Sequence, residues 1–78
     1  MKIQIVNGYL KYADLGMAPV MLCQHDKDHG RLYPELIEAE KYDYIELYCC
    51  MCDYRVTLGS SAYQKMYDIV WMYEGMKN

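Results

Sequence analysis

Residues 48–54 read YCCMCDY, which sets three of the chain's four cysteines within four consecutive positions. Cys49 and Cys52 stand in C-x2-C spacing. Zinc takes four tetrahedral nitrogen or sulfur ligands, commonly as two short-spaced pairs that the fold brings together. With Cys49 and Cys52 as one pair, Cys50 between them becomes a bystander thiol. The remaining cysteine, Cys23, opens a polar loop, CQHDKDHG, that offers His25 at C-x-H, Asp26 at C-x2-D and His29 at C-x5-H. The expected site is a zinc ion held by Cys23, Cys49, Cys52 and a fourth ligand. His25 and His29 compete evenly for that place, with Asp26 behind them. The alternative is a set of buried free thiols that behave as small hydrophobes, although cysteine seldom crowds this way without a metal or redox role.

Other chemistries fit these residues less well. A dithiol oxidoreductase places C-x2-C at a helix N-terminus, where the dipole lowers the thiol pKa. Here a strand-like segment follows Cys52, and the chain is short for a thioredoxin-like fold. A catalytic zinc site keeps an open coordination position beside a general base. Glu35, Glu38, Glu40 and Glu46 could be nominated, but such an acidic stretch reads better as a solvated face. A cysteine–histidine nucleophile needs a substrate cleft, which 78 residues can hardly build. The expectation is a protein that is not an enzyme.

The elements that must position these residues are short. YIELYC alternates Ile45, Leu47 and Cys49 with Tyr44, Glu46 and Tyr48, and DYRVTL alternates Tyr54, Val56 and Leu58 with Asp53, Arg55 and Thr57. Period-two alternation is the mark of a half-buried strand, so the two runs read as a β-hairpin with the cysteines at its tip. Val20-Met21-Leu22 reads as a short strand that delivers Cys23, and RLYPELI leans towards strand. Residues 1–13 read as another hairpin. KIQIV and YLKY are β-prone, and Asn7-Gly8 between them is a preferred pair for a two-residue type I′ turn. Gly16 and Pro19 break the connector that follows. SSAYQKMYDIVWMYEG is helical, with Ser61 and Gln64 as a capping box and Gly75 as the residue past its end. The architecture expected is α+β in a single domain, 1–78: a hairpin at 1–13, an antiparallel zinc-ribbon core at 20–59 and a C-terminal α-helix at 61–75.

Composition limits the partners. A hydrophobic content of 54% argues for a folded chain. It is drawn from ten Tyr and seven Met with no Phe, so many hydroxyls must reach water or a hydrogen-bond partner. The net charge is −3 and the eight basic residues are scattered singly. Duplex nucleic acid, which is held through clustered positive charge, is disfavoured. The N-terminus lacks the apolar core of a signal peptide, and the uncharged stretch from Leu15 to His25 is too short to span a membrane. A cytoplasmic location is expected, where cysteines more often bind metal or act in redox than form disulfides.

The order of a strand, the Cys23 loop, LYPEL and then YIELYCCMCDYRVTLG resembles a zinc ribbon. It most resembles the small ribbon proteins encoded by tailed bacteriophages, whose C-x2-C tip is followed by an aspartate, an aromatic and a basic residue, as Cys49, Cys52, Asp53, Tyr54 and Arg55 are here. The resemblance covers about residues 20–59. It departs at the first pair, where Asp26 occupies the place of the second cysteine. A compact knuckle of this kind implies His25, nearer to Cys23, as the fourth ligand. The resemblance also implies a binding module associated with transcription or nucleic-acid machinery, by analogy of fold alone.

Two functions are then expected. The first is a phage-type accessory protein that binds and modulates a host protein complex, such as transcription or defence machinery, from the host cytoplasm. The second is a single-stranded nucleic-acid binder that uses tyrosines as stacking platforms. On the C-terminal helix Tyr63, Met66, Tyr67, Val70 and Tyr73 share one face, while Trp71 falls among Gln64, Asp68 and Gly75. Trp71 is the expected anchor for a partner, or for a second copy of the chain, because tryptophan is enriched at interface hot spots.

Overall fold

A computed structural model describes residues 2–76. The chain divides into two compact units, one made of Met1–Val20 with Gly59–Asn78 and the other of Met21–Leu58. Among the described residues, no helix is long and apolar enough to cross a membrane.

The first unit is a pair of helices. Helix α1 spans Lys2–Asp14 and α2 spans Ser60–Met76. The expected hairpin at 1–13 is therefore corrected to a continuous helix, with Asn7 and Gly8 in its middle. The reason is visible in what it buries. Val6, Tyr9, Leu10, Tyr12 and Ala13 are all buried, and the spacing 6, 9, 10, 13 follows the 3.6-residue period. A hairpin would instead have put Ile3, Ile5, Leu10 and Tyr12 on one face and Val6, Tyr9 and Ala13 on the other, and a lone two-stranded hairpin is at best marginally stable in water. A helix can lay its buried face against α2. Lys2 Nζ lies 5.4 Å from the centre of the Tyr63 ring, Gly8 faces Val70, and the Tyr12 and Tyr73 rings are 4.9 Å apart. These contacts occur in the same order along both helices, so the two run in the same direction.

Helix α1 ends in a Schellman motif. Met17 N–H donates to the Tyr12 carbonyl and Gly16 N–H to that of Ala13, each at 2.9 Å. Gly16 adopts φ 79°, where a side chain would be strained. The segment that follows gives the tyrosines their partners: Tyr9 Oη donates to the Pro19 carbonyl and Tyr73 Oη to that of Met17. Helix α2 begins one residue before the expected cap, with Tyr63 N–H bonded to the Gly59 carbonyl at 2.9 Å. Gln64 does not close a capping box; its amide donates to Asp68 Oδ1 at 3.0 Å. Gly75 lies inside the helix rather than beyond it. Met66 and Val70 are buried, as the expected face requires, whereas Tyr67 and Met72 are exposed.

Gly8 provides a test of the helix. An added Cβ would lie 3.5 Å from Val70 Cγ2, an ordinary van der Waals contact. Gly8→Ala should therefore gain helix propensity without a clash and stabilise the unit by about 0.5–1 kcal/mol. A type I′ turn would respond in the opposite sense, because alanine opposes the positive φ it demands. A lower melting temperature for Gly8→Ala would contradict the helix.

The second unit carries an antiparallel sheet in the order β1-β2-β3, formed by Tyr33–Glu38, Asp43–Tyr48 and Arg55–Thr57. Leu36 faces Ile45 and Pro34 faces Leu47 across β1 and β2, while Val56 faces Leu47 across β2 and β3. The expected alternation is present in β2, where Ile45 and Leu47, and then Cys49, are buried. The α+β class and the antiparallel sheet agree with the sequence reading. The element order, with a helix first, does not.

Candidate metal centre

Two hairpin ends supply the cysteines and the histidines. The first is closed by backbone pairing around an isolated bridge between Leu22 and Arg31. Leu32 N–H donates to the Met21 carbonyl at 2.9 Å and Cys23 N–H to that of Gly30 at 3.3 Å. The segment expected to be a strand at residues 20–22 is thus reduced to one bridge. Between Cys23 and Gly30 the chain makes a 3₁₀ turn over Lys27–His29. Asp26 caps it: its Oδ1 accepts from Asp28 N–H at 2.9 Å, and its carbonyl accepts from His29 N–H at 3.0 Å. Gly30, at φ 86°, turns the chain back towards Arg31. This tight turn folds a C-x5-H spacing back on itself and returns His29 to Cys23.

The second end joins β2 to β3. Cys49 N–H donates to the Tyr54 carbonyl at 3.0 Å, which continues the pairing of Tyr48 with Arg55. Met51 N–H then points at Cys49 Sγ, 3.3 Å away. Arg55 holds the strands together behind the tip. Its Nε donates to Glu46 Oε1 at 2.8 Å, a terminal nitrogen donates to Glu35, and its guanidinium lies 5.3 Å from the centre of the Tyr48 ring. The two carboxylates, Glu35 first, raise the Arg55 pKa further above its ordinary value. Glu35 and Glu46 thus serve a cross-strand ion pair.

The ligand atoms of Cys23, His29, Cys49 and Cys52 lie within 4.8 Å of one another. Cys23 Sγ is 3.6 Å from Cys52 Sγ, and Cys49 Sγ is 3.6 Å from His29 Nδ1. A tetrahedral ion with metal–sulfur bonds of about 2.3 Å holds its ligand atoms about 3.8 Å apart, so these separations match the edges of one coordination sphere. All four cysteines are free thiols. Cys23 and Cys49 are buried, while His29 and Cys52 are half-buried. Three thiolates and an imidazole form a donor set for a soft or borderline cation such as zinc.

The two tip cysteines differ in their electrostatics. Burial opposes ionisation of Cys49, but the Met51 N–H and the hydrogen bonds from Cys52 and Cys23 outweigh it and lower the thiol pKa. At Cys52 the Tyr54 N–H favours the thiolate, yet burial and the neighbouring Cys23 and Cys49 push the pKa up to about 11. A bound cation would favour the Cys49 and Cys52 thiolates by offsetting this opposition.

Of the two competing histidines, His29 completes the four-residue group. Its other ring nitrogen, Nε2, faces Asp26 Oδ2 at 3.6 Å. A carboxylate behind a ligating histidine favours the tautomer that leaves the inner nitrogen free to bind metal. Asp26, weighed from the sequence only as a ligand, is placed beside the group instead. His25, the ligand implied by a compact knuckle, sits at its margin. Its Nδ1 is 3.9 Å from Cys52 Sγ and its ring contacts Tyr54 edge-on at 4.9 Å. Cys50 is exposed and outside the group. Trp71 belongs to the helical unit and is 69% exposed. The roles of Asp26 and Arg55 had no spacing signal, because both depend on turns and strand register. Compared with known protein families, curated proteins and solved structures, the chain matches none.

Proposed function

We propose that residues 21–58 are a structural zinc module of ribbon type, and that the protein is a non-enzymatic interaction module whose partner is another protein. The supporting observation is the closed set of Cys23, His29, Cys49 and Cys52, whose four ligand atoms leave a tetrahedral ion no open position for a reactant. Zinc in this place acts on folding, and function falls to the surfaces it holds in shape. The resemblance to phage ribbon proteins supports an accessory protein that modulates a host complex from the cytoplasm. Elemental analysis of the purified protein should find one zinc per chain, and cobalt substitution should give the absorbance of tetrahedral thiolate coordination. Protein free of metal would overturn the proposal.

The partner surface we assign is on α2. Trp71 is exposed, with Tyr67 and Met72 also exposed on the same helix. Aromatic residues of this kind anchor interfaces. Trp71→Ala should therefore keep the fold and the zinc but lose capture of a host protein, or self-association, in pull-down and sedimentation measurements. A Trp71→Ala protein that unfolds, or that binds as before, would remove this helix as the binding face.

One observation favours the second reading. Arg31 lies 4.3 Å from the Tyr33 ring, the Tyr33 and Tyr48 rings are 6.1 Å apart, and Arg55 covers Tyr48. Stacked aromatics beside arginines can bind unpaired bases. Against this, Arg55 is already paired with two carboxylates, and the chain is acidic. Retention of single-stranded nucleic acid that falls steeply with salt would favour this reading over the protein partner.

A further inference from the structure

His25, Cys52 and Asp53 bring a second set of donor atoms together beside the first, again within 4.8 Å of one another. His25 Nδ1 is 3.9 Å from both Cys52 Sγ and Asp53 Oδ1. The donors come from two separate loops, and the edge contact with Tyr54 restrains the imidazole. The two sets share Cys52 and differ in exposure. Cys23 and Cys49 are sealed from water, whereas the side chains of His25 and Asp53 are 58% and 97% exposed. Three donors, two of them exposed, leave coordination positions for water, the arrangement of an exchangeable site, in contrast to a closed four-ligand centre. Charge acts in the same direction. Three thiolates around one divalent ion leave the inner centre with a net negative charge, and the Asp53 carboxylate adds to the field that a second cation meets.

We propose that His25, Cys52 and Asp53 form an outer, weaker site for a second zinc ion, that the Cys52 thiolate is shared between the two ions, and that metal exchanges with the buried centre across it. The proposal rests on the reading of Cys23, His29, Cys49 and Cys52 as a zinc centre. It gives His25 a role that its spacing to Cys23 suggested but its position beside the inner group does not fulfil. An ion held at the outer site is already bonded to one inner ligand, so replacement needs no stage at which the buried thiolates are left without a cation.

The test uses the zinc-loaded protein and an isotopically enriched zinc salt at increasing concentration, with the isotope composition of the desalted protein followed by mass spectrometry. The exchange rate should rise with free zinc and level off as the outer site fills. His25→Ala and Asp53→Asn should each lose that dependence while keeping the first zinc ion and its affinity in chelator competition. A rate independent of zinc concentration in the unaltered protein would overturn the outer site, as would unchanged exchange in both variants. Loss of the bound zinc from His25→Ala would overturn it too, by making His25 a ligand of the inner centre. Unaltered protein with no zinc at the outset fails the inner-centre reading itself, a result obtained before any exchange is measured.

Discussion

Cys49→Ser or Cys52→Ser is expected to unfold residues 21–58, and a strong chelator should do the same to the unaltered protein. Chains below about 40 residues rarely fold without a disulfide, a metal or a partner, and the Met21–Leu58 unit is of that size. Its apolar burial is thin. Leu32, Ile45 and Leu47 are buried beside Cys23 and Cys49, whereas every residue of β3 is exposed. Structural zinc contributes apparent free energies of about 10–16 kcal/mol in small fingers, far above what those side chains supply. Removing one thiolate also leaves the other ligands crowded in a pocket with no ion to offset them. Hydrogen exchange should show loss of protection across the sheet, and far-ultraviolet circular dichroism the loss of strand signal. Cys50→Ser supplies the internal control, because Cys50 is exposed and lies outside the ligand group. A chelated protein that keeps its sheet, or a Cys50→Ser protein damaged as badly as Cys49→Ser, would contradict this account.

The second large effect separates the two histidines. His29→Ala should weaken zinc binding by more than the roughly 10–100-fold typical of losing an outer-shell partner, since it removes a ligand. Asp26→Asn should fall within that outer-shell range, because it alters only what faces His29 Nε2. His25→Ala should leave the affinity of the first zinc ion unchanged. Competition against a chromophoric chelator ranks the three variants on one scale. A greater loss at His25 than at His29 would restore the short C-x-H spacing and reject the turn geometry described here.

Cys49 and Cys52 were legible in the sequence because their geometry is local. Two period-two runs on either side of a short tip can pair in few ways, and C-x2-C at such a tip turns both sulfurs towards one point. The histidine that completes the group of Cys23, Cys49 and Cys52 was not legible. His25 and His29 both follow Cys23 closely, and the choice between them depends on the capped 3₁₀ turn and on Gly30 reversing the chain. Neither appears in a ligand-spacing rule. Arg55 could be recognised as part of a motif, but its tie to Glu35 and Glu46 is a matter of register across three strands.

The N-terminus shows the same division more sharply. Asn7-Gly8 between β-prone runs is a strong local signal for a turn, and different apolar residues of 2–14 fit each period. The decision belongs to α2, about sixty positions away in the chain, whose Tyr63, Val70 and Tyr73 meet α1 along its length. Burying the shared face outweighs the cost of about 1 kcal/mol for a glycine within a helix. By itself the sequence determined the cysteine tip, the antiparallel strands around it and the C-terminal helix, all of which are satisfied by near neighbours. Tertiary structure decided the N-terminal helix, the histidine that joins the centre and the exposure of Trp71, because each depends on packing partners brought together only when the chain folds.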